Sequence, residues 1–168
     1  MSSSPSGDVL ADEFRLAMGR FATGVTVLTT FAGGHDHAMT ANAITSVSMD
    51  PLLVLVCVEV EARFHDAVAE AGVWGVSVLS ARQRPVAEWL ATRGRPLHGQ
   101  LDRVAHSRGA ATGVALLDGA LASIECRTTD LYPAGDHSIV VGEVVSLSTT
   151  DHPGDALVYY RSRYTTLQ

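Results

Sequence analysis

Several things are scarce in this chain, and each scarcity excludes something. Cysteine occurs only twice, as Cys57 and Cys126, both in apolar runs (LVCVEV and SIECRT). They read as buried free thiols, so no disulfide framework is implied and the cytoplasm is the expected compartment. No apolar run approaches the roughly 20 residues needed to span a bilayer, so no membrane association is expected. The N-terminal MSSSPSGDV has neither a basic start nor an apolar run. Residues 1–7 therefore read as a disordered tail and not as a signal peptide. Positive charge is also short: the net charge is -6, and a nucleic-acid partner, which would demand a basic face, is not expected. No G-x-S-x-G elbow, P-loop or G-x-G-x-x-G fingerprint is present, so neither an esterase-type nucleophile nor a Rossmann cofactor site has support.

What is present suits one globular domain over residues 8–168, with 46% hydrophobic and 18% charged residues. Asp8 to Phe21 reads as a helix with an apolar stripe at Leu10, Phe14, Met18 and Phe21, stopped near Gly24. GVTVLTTF reads as a strand and AGGHDHA as a turn. Met39 to Met49 reads as one extended segment, and LLVLVCVEV after Pro51 as a strand buried on both faces. Phe64 to Ala71 is a short helix ended by Gly72, and VWGVSVL is a further strand. Ser80 and Gln83 have capping-box spacing for a helix through Trp89 and Leu90. Thr92 to Thr112 reads as a long irregular excursion with room for one short helix, a type of segment that is often functional. The last third reads as two long strands, residues 115–132 and 137–150, joined by PAGD, and a closing strand, ALVYYRSRYTTL. Strands dominate without βαβ alternation, which points to an antiparallel barrel with helices outside.

Three segments could carry chemistry. In TANAITSVS, small side chains would let a flat ligand approach the backbone, with Asn42 and the hydroxyls bonding its polar edge. The same strand equally reads as a Ser/Thr-rich face toward water. EARFHD opens a helix, whose free N–H groups and Arg63 would suit phosphate, or Arg63 is simply solvated. In AGDHS, His137 could bond or stack on a nicotinamide, or be an ordinary turn residue. His35-Asp36-His37 lacks further ligands at a recognisable spacing, so no metal site is expected.

Taken in order, these pieces resemble the flavin reductase family with the FMN-binding split-barrel fold, which includes the reductase components of two-component flavin-dependent monooxygenases. FRLAMGRFATGVTVLTT resembles the family's opening, TANAITSVSMDPLLVLVCV its flavin strand and the strand after it, and EARFHDAVAEAGVWGVSVL its phosphate turn. YPAGDHSIVVGEV resembles its Gly-Asp-His hairpin, and YYRSRYTTL its closing strand. The likeness runs from about Phe14 to Leu167.

The resemblance implies a mainly β, antiparallel Greek-key split barrel with a few peripheral helices. It implies an NAD(P)H:flavin oxidoreductase that passes hydride from NADH or NADPH to FMN or FAD. It further implies a homodimer that supplies reduced flavin to a partner monooxygenase. By the same resemblance Ala41, Asn42, Ala43 and Ile44 line the flavin, with Thr45, Ser46, Val47 and Ser48 nearby. Cys57, Val58 and Glu59 pass beside the ring or its ribityl chain, and Ala62, Arg63, Phe64 and His65 face the phosphate. His137 positions the nicotinamide, and Arg161 to Tyr164 lie near the cofactors. Where the family often has Ser or Thr at the phosphate turn, this chain has Ala62, Arg63 and Phe64. Other readings of the same resemblance are a split-barrel FMN oxidase of another substrate, resembling pyridoxamine-phosphate oxidases, and a flavin-binding protein without turnover. A colourless barrel scaffold that binds no flavin is a further reading.

Overall fold

The computed structural model describes residues 7–150 and 154–167. The first six residues of the expected N-terminal tail lie outside them, and Gly7 already belongs to the first helix, α1 (Gly7–Met18). The chain continues through β1 (Thr23–Gly24), β2 (Thr26–Ala32), β3 (His35–Ala41), β4 (Ile44–Met49) and β5 (Leu52–Glu59). Then come α2 (Arg63–Ala71), β6 (Val73–Val78), a 3-10 turn at Ala81–Gln83 and α3 (Arg84–Ala91). The remainder is β7 (His106–Arg108), β8 (Ala115–Leu117), β9 (Ala122–Ala134), β10 (His137–Thr149), β11 (Leu157–Tyr160) and β12 (Arg163–Thr166).

Every ladder is antiparallel. Seven strands form one sheet in the order β3-β2-β6-β9-β10-β5-β4, with smaller sheets β1-β11-β12 and β7-β8 beside it. This is the expected antiparallel split barrel with few helices. The sheet closes over two apolar clusters. One gathers Val56, Val58, Phe64, Val68, Trp74 and Val140 under α2. The other gathers Val25, Val27, Leu79, Leu90 and Leu157 under α3. Gly142 is needed between Trp74 and Cys126, because a Cβ there would lie 2.7 Å from the indole.

Several elements differ from their sequence-based expectation. The helix of residues 8–21 ends at Met18, where Gly19 donates to Arg15 O, and Gly24 belongs to β1 instead of stopping it. Its stripe is real but faces outward: Leu10, Phe14, Met18 and Phe21 are all exposed. The turn at 32–38 narrows to Gly33–Gly34, both with positive φ, so that His35 to Ala38 extend β3. The segment 39–49 breaks at Asn42–Ala43 into two strands that pair with different partners. β5 is not buried on both faces. Val54, Val56 and Val58 enter the core, while Leu53, Leu55, Cys57 and Glu59 stay half-exposed on the other face.

Among the described residues the 92–112 excursion holds no helix. Gln100 Oε1 accepts from Ala38 N, Trp89 Nε1 donates to Gln100 O, and its end pairs as β7 with β8. The 115–132 strand is interrupted between β8 and β9, and the closing strand is a hairpin that turns at Arg161 and Ser162, both with left-handed φ. Cys126 is buried as expected, whereas Cys57 is only half-buried; both are free thiols. No helix among the described residues is long and apolar enough to cross a membrane.

Candidate functional site

The outward face of β5 organises two clefts. Leu55 and Cys57 line a mostly apolar cleft of about 930 Å³, and Glu59, next on the same face, lines a second of about 440 Å³. Side chains alternate across a strand, so these three residues form one row that leads from one cleft into the other. A smaller hollow of about 190 Å³ also links them, sharing Thr40 and Ala91 with the second cleft and Asn42 and Tyr159 with the first.

The apolar cleft is built at the break between β3 and β4. Asn42, Ala43, Ile44 and Thr45 line it. Asn42 Nδ2 donates to Thr23 Oγ1 at 3.1 Å, and Cys57 N donates to Ala43 O at 3.0 Å, which holds the corner against β5. Ala41 lies one step back, buried at the end of β3, with its carbonyl accepting from Thr26 Oγ1. Ser46, Val47 and Ser48 lie farther along β4, across a register shift between Ser46 and Ser48, and do not line either cleft. Val58 points into the core, so it offers a ligand its backbone alone. Ser162, from the 161–164 segment expected near the cofactors, lines the outer wall, but sequence reasoning missed the rest of that wall, formed by Phe14, Met18, Phe21 and Tyr159. The helical stripe carried that signal but also fitted an ordinary core face.

The second cleft lies at the start of α2. Ala62 precedes the helix with extended backbone and cannot cap it by a side chain, so N–H groups of the first turn are left without a capping oxygen. Arg63 lines the cleft and donates through Nη2 to Arg95 O at 2.7 Å. Phe64 is anchored in the core. Opposite α2, the 92–100 segment contributes Arg93 and Arg95, which sequence reading placed only within the irregular 92–112 excursion. Arg95 donates to the carbonyls of Thr92 and Ala38, and its buried Nε has no partner among the described residues. Burial, followed by the charge of Arg63, lowers the pKa of its guanidinium. Arg93 Nη2 donates to both oxygens of Glu59 at 3.1 Å.

His65 does not line either cleft. Its Nε2 lies 2.9 Å from Ser138 Oγ and its Nδ1 lies 3.0 Å from Asp66 Oδ1. Val60 N donates to Asp136 O, so the start of α2 is stitched to the Gly135–Asp136 hairpin. His137 lies directly opposite Glu59 on the β5–β10 ladder, and directly opposed residues share a face. Its Nδ1 is 2.7 Å from Asp136 Oδ1, and this contact holds the Asp136 carboxyl below its usual range. Tyr164 stacks edge-on against Tyr159 with ring centroids 5.4 Å apart and lines the linking hollow. Burial raises its pKa. Arg161 lies outside both clefts; its N donates to Gly19 O and its guanidinium lies over Tyr160.

Comparison with known proteins agrees with this architecture. The flavin reductase like domain profile matches residues 18–168. The NADH-dependent FMN reductase AsuE2 of Streptomyces nodosus subsp. asukaensis is 41% identical over 158 residues, covering 93% of this chain and 84% of that protein. The NADH-dependent FAD reductase of Streptomyces globisporus is 42% identical over 135 residues, covering 80% of this chain and 74% of its own. Among solved structures, BorF, the flavin reductase component of a bacterial two-component tryptophan halogenase, superposes with a TM-score of 0.88 at 47% identity, covering 94% of this chain and 98% of that one. The chain belongs to the flavin reductase family.

Proposed function

We propose that this protein is an NAD(P)H:flavin oxidoreductase that reduces FMN or FAD and releases the reduced flavin to a flavin-dependent monooxygenase. One observation carries the residue assignment: the outward row of β5 runs from an apolar cleft into a cleft bearing three arginines, with His137 beside the junction. That is the layout a flat apolar ring with a phosphorylated tail requires. The fit is physical, since Arg63 and Arg95 sit close together with only carbonyls as hydrogen-bond acceptors among the described residues. Two such cations favour an anion between them.

Bound flavin and nicotinamide would supply the hydride chemistry between them, and the protein supplies placement. Leu55, Cys57 and Ile44 give the ring a dry floor. The corner at Asn42 to Thr45 presents backbone groups and a side-chain amide to its polar edge. Arg63 and the first turn of α2 hold the phosphate. His137 would orient the nicotinamide and transfers no proton.

The protein leaves Phe14, Met18 and Phe21, which wall the apolar cleft, exposed together with Leu10 on the same stripe. Apolar surface concentrated beside a ligand cleft favours a second copy as its cover, so the working form is a homodimer. The two free thiols suit the reducing cytoplasm. The relatives that serve as reductase components support the monooxygenase partner.

A steady-state assay of NADH and NADPH oxidation with FMN, FAD and riboflavin tests the function. Oxidation of reduced nicotinamide that depends on added flavin is the expected result. A protein that binds flavin yet oxidises no nicotinamide would be a carrier or an oxidase of another substrate.

A further inference from the structure

The chain's 12 basic residues are all arginine, and three of them line the smaller cleft although the net charge is -6. A phosphate monoester at the start of α2 engages Arg63 and the helix N–H groups. It leaves two more guanidiniums on the opposite wall, Arg93 and Arg95. Arg95 is committed to two carbonyls and contributes mainly its charge. Arg93 is different: its guanidinium is largely exposed, and its one partner among the described residues is the half-exposed carboxylate of Glu59. A pair this exposed is cheap to open, so an incoming anion can take Arg93 from Glu59.

Resting on the flavin reductase reading above, we infer that Arg93 is a specificity-determining residue that grips the second phosphate of a flavin dinucleotide, so that FAD is the preferred flavin over FMN. The cleft holding Arg93 joins the ring cleft along β5 and through the hollow between Thr40 and Asn42. The diphosphate is therefore assigned to the same molecule as the ring. When Arg93 turns to it, Glu59 is released on the face it shares with His137.

The test is titration of the purified protein with FAD, FMN and riboflavin, followed by quenching of flavin fluorescence. The wild type should bind FAD about tenfold more tightly than FMN, the scale of one added charge-assisted contact. R93A should erase that gap while changing FMN affinity less than about twofold, and R93K should retain part of it. E59Q frees Arg93 and should tighten FAD. If Arg93 served only to brace the 92–100 segment against β5, E59Q would weaken FAD as R93A does, and the inference would fall. Equal affinity for FMN and FAD, or equal losses of both in R93A, would also overturn it while leaving the reductase reading intact. A rise in KM for NADH in R93A with FAD affinity unchanged would move the diphosphate site to the nicotinamide dinucleotide and refute the assignment. Failure to bind any flavin would remove the underlying reading as well.

Discussion

The imidazole of His65 and the hydroxyl of Ser138 lie 2.9 Å apart, fastening the first turn of α2 to the start of β10. This bond connects the helix start assigned to phosphate with the strand start that carries His137. Ser138 is almost fully buried, so its hydroxyl has little access to water as an alternative partner. Ser138→Ala should cost about 1 kcal/mol of stability, the usual worth of one such bond. It should also raise KM for the nicotinamide two- to fivefold with kcat nearly unchanged. Chemical denaturation and steady-state kinetics measure the two effects, and a fall in kcat alone would contradict the positioning role.

His137 itself lies opposite Glu59 on the β5–β10 ladder. His137→Ala should raise KM for NADH about tenfold, the loss expected from one polar contact of roughly 1.4 kcal/mol. Flavin affinity should stay within about twofold, because the residue lies outside both clefts. If flavin affinity collapsed instead, His137 would belong to the flavin site.

Arg63 is assigned to phosphate, and riboflavin has none. Arg63→Ala should therefore weaken FMN by about tenfold or more and riboflavin by less than about twofold, as loss of a charge-assisted contact dictates. Parallel titrations of the two ligands decide it. Equal losses would place Arg63 among residues that merely support α2, through its bond to Arg95 O.

What could be read from the chain was local. Gly72 ends α2 with left-handed φ, and the Ser80–Gln83 capping box forms with both side chains engaged. Their signals lie within four residues. The break at Asn42–Ala43 was invisible, because it arises when β3 and β4 choose different neighbours. Likewise β5 is apolar throughout except at Glu59, so composition could not tell its core face from its ligand face. The arginine wall was missed for a related reason: the 92–100 segment is ordered by long-range bonds from Gln100 and Arg95 to Ala38, which no periodicity announces.

The outward stripe of α1 has a consequence for assembly. Leu10 lies on that stripe, is 58% exposed and lines neither cleft, so a charge there should disturb only what covers the helix. Leu10→Glu should shift the protein toward monomer in sedimentation velocity, since burying an unpaired carboxylate costs several kcal/mol. Thermal stability measured on the separated monomer should remain close to that of a folded domain. An unchanged sedimentation coefficient would exclude α1 from the dimer contact.

Glu125 gives the fold its clearest acid sensitivity. The carboxylate is 2% exposed. Burial pushes its pKa up, but donors from Thr112 and Ala111, with the Ser146 hydroxyl, outweigh that and leave it below the ordinary value. Thr112 N and Oγ1 both lie 2.7 Å from Oε2, pinning the end of the 92–112 excursion against β9. A carboxyl whose folded pKa is depressed stabilises the fold above its unfolded pKa of about 4.3, and that stability is lost as pH falls through the folded value. Glu125→Gln should cost about 2 kcal/mol near pH 7, the scale of hydrogen bonds to a charged group. It should also flatten the stability profile below about pH 4.3, where the wild type must protonate this group. Urea melts at a series of pH values measure both, and a variant that kept the wild-type acid slope would show that other carboxylates set it.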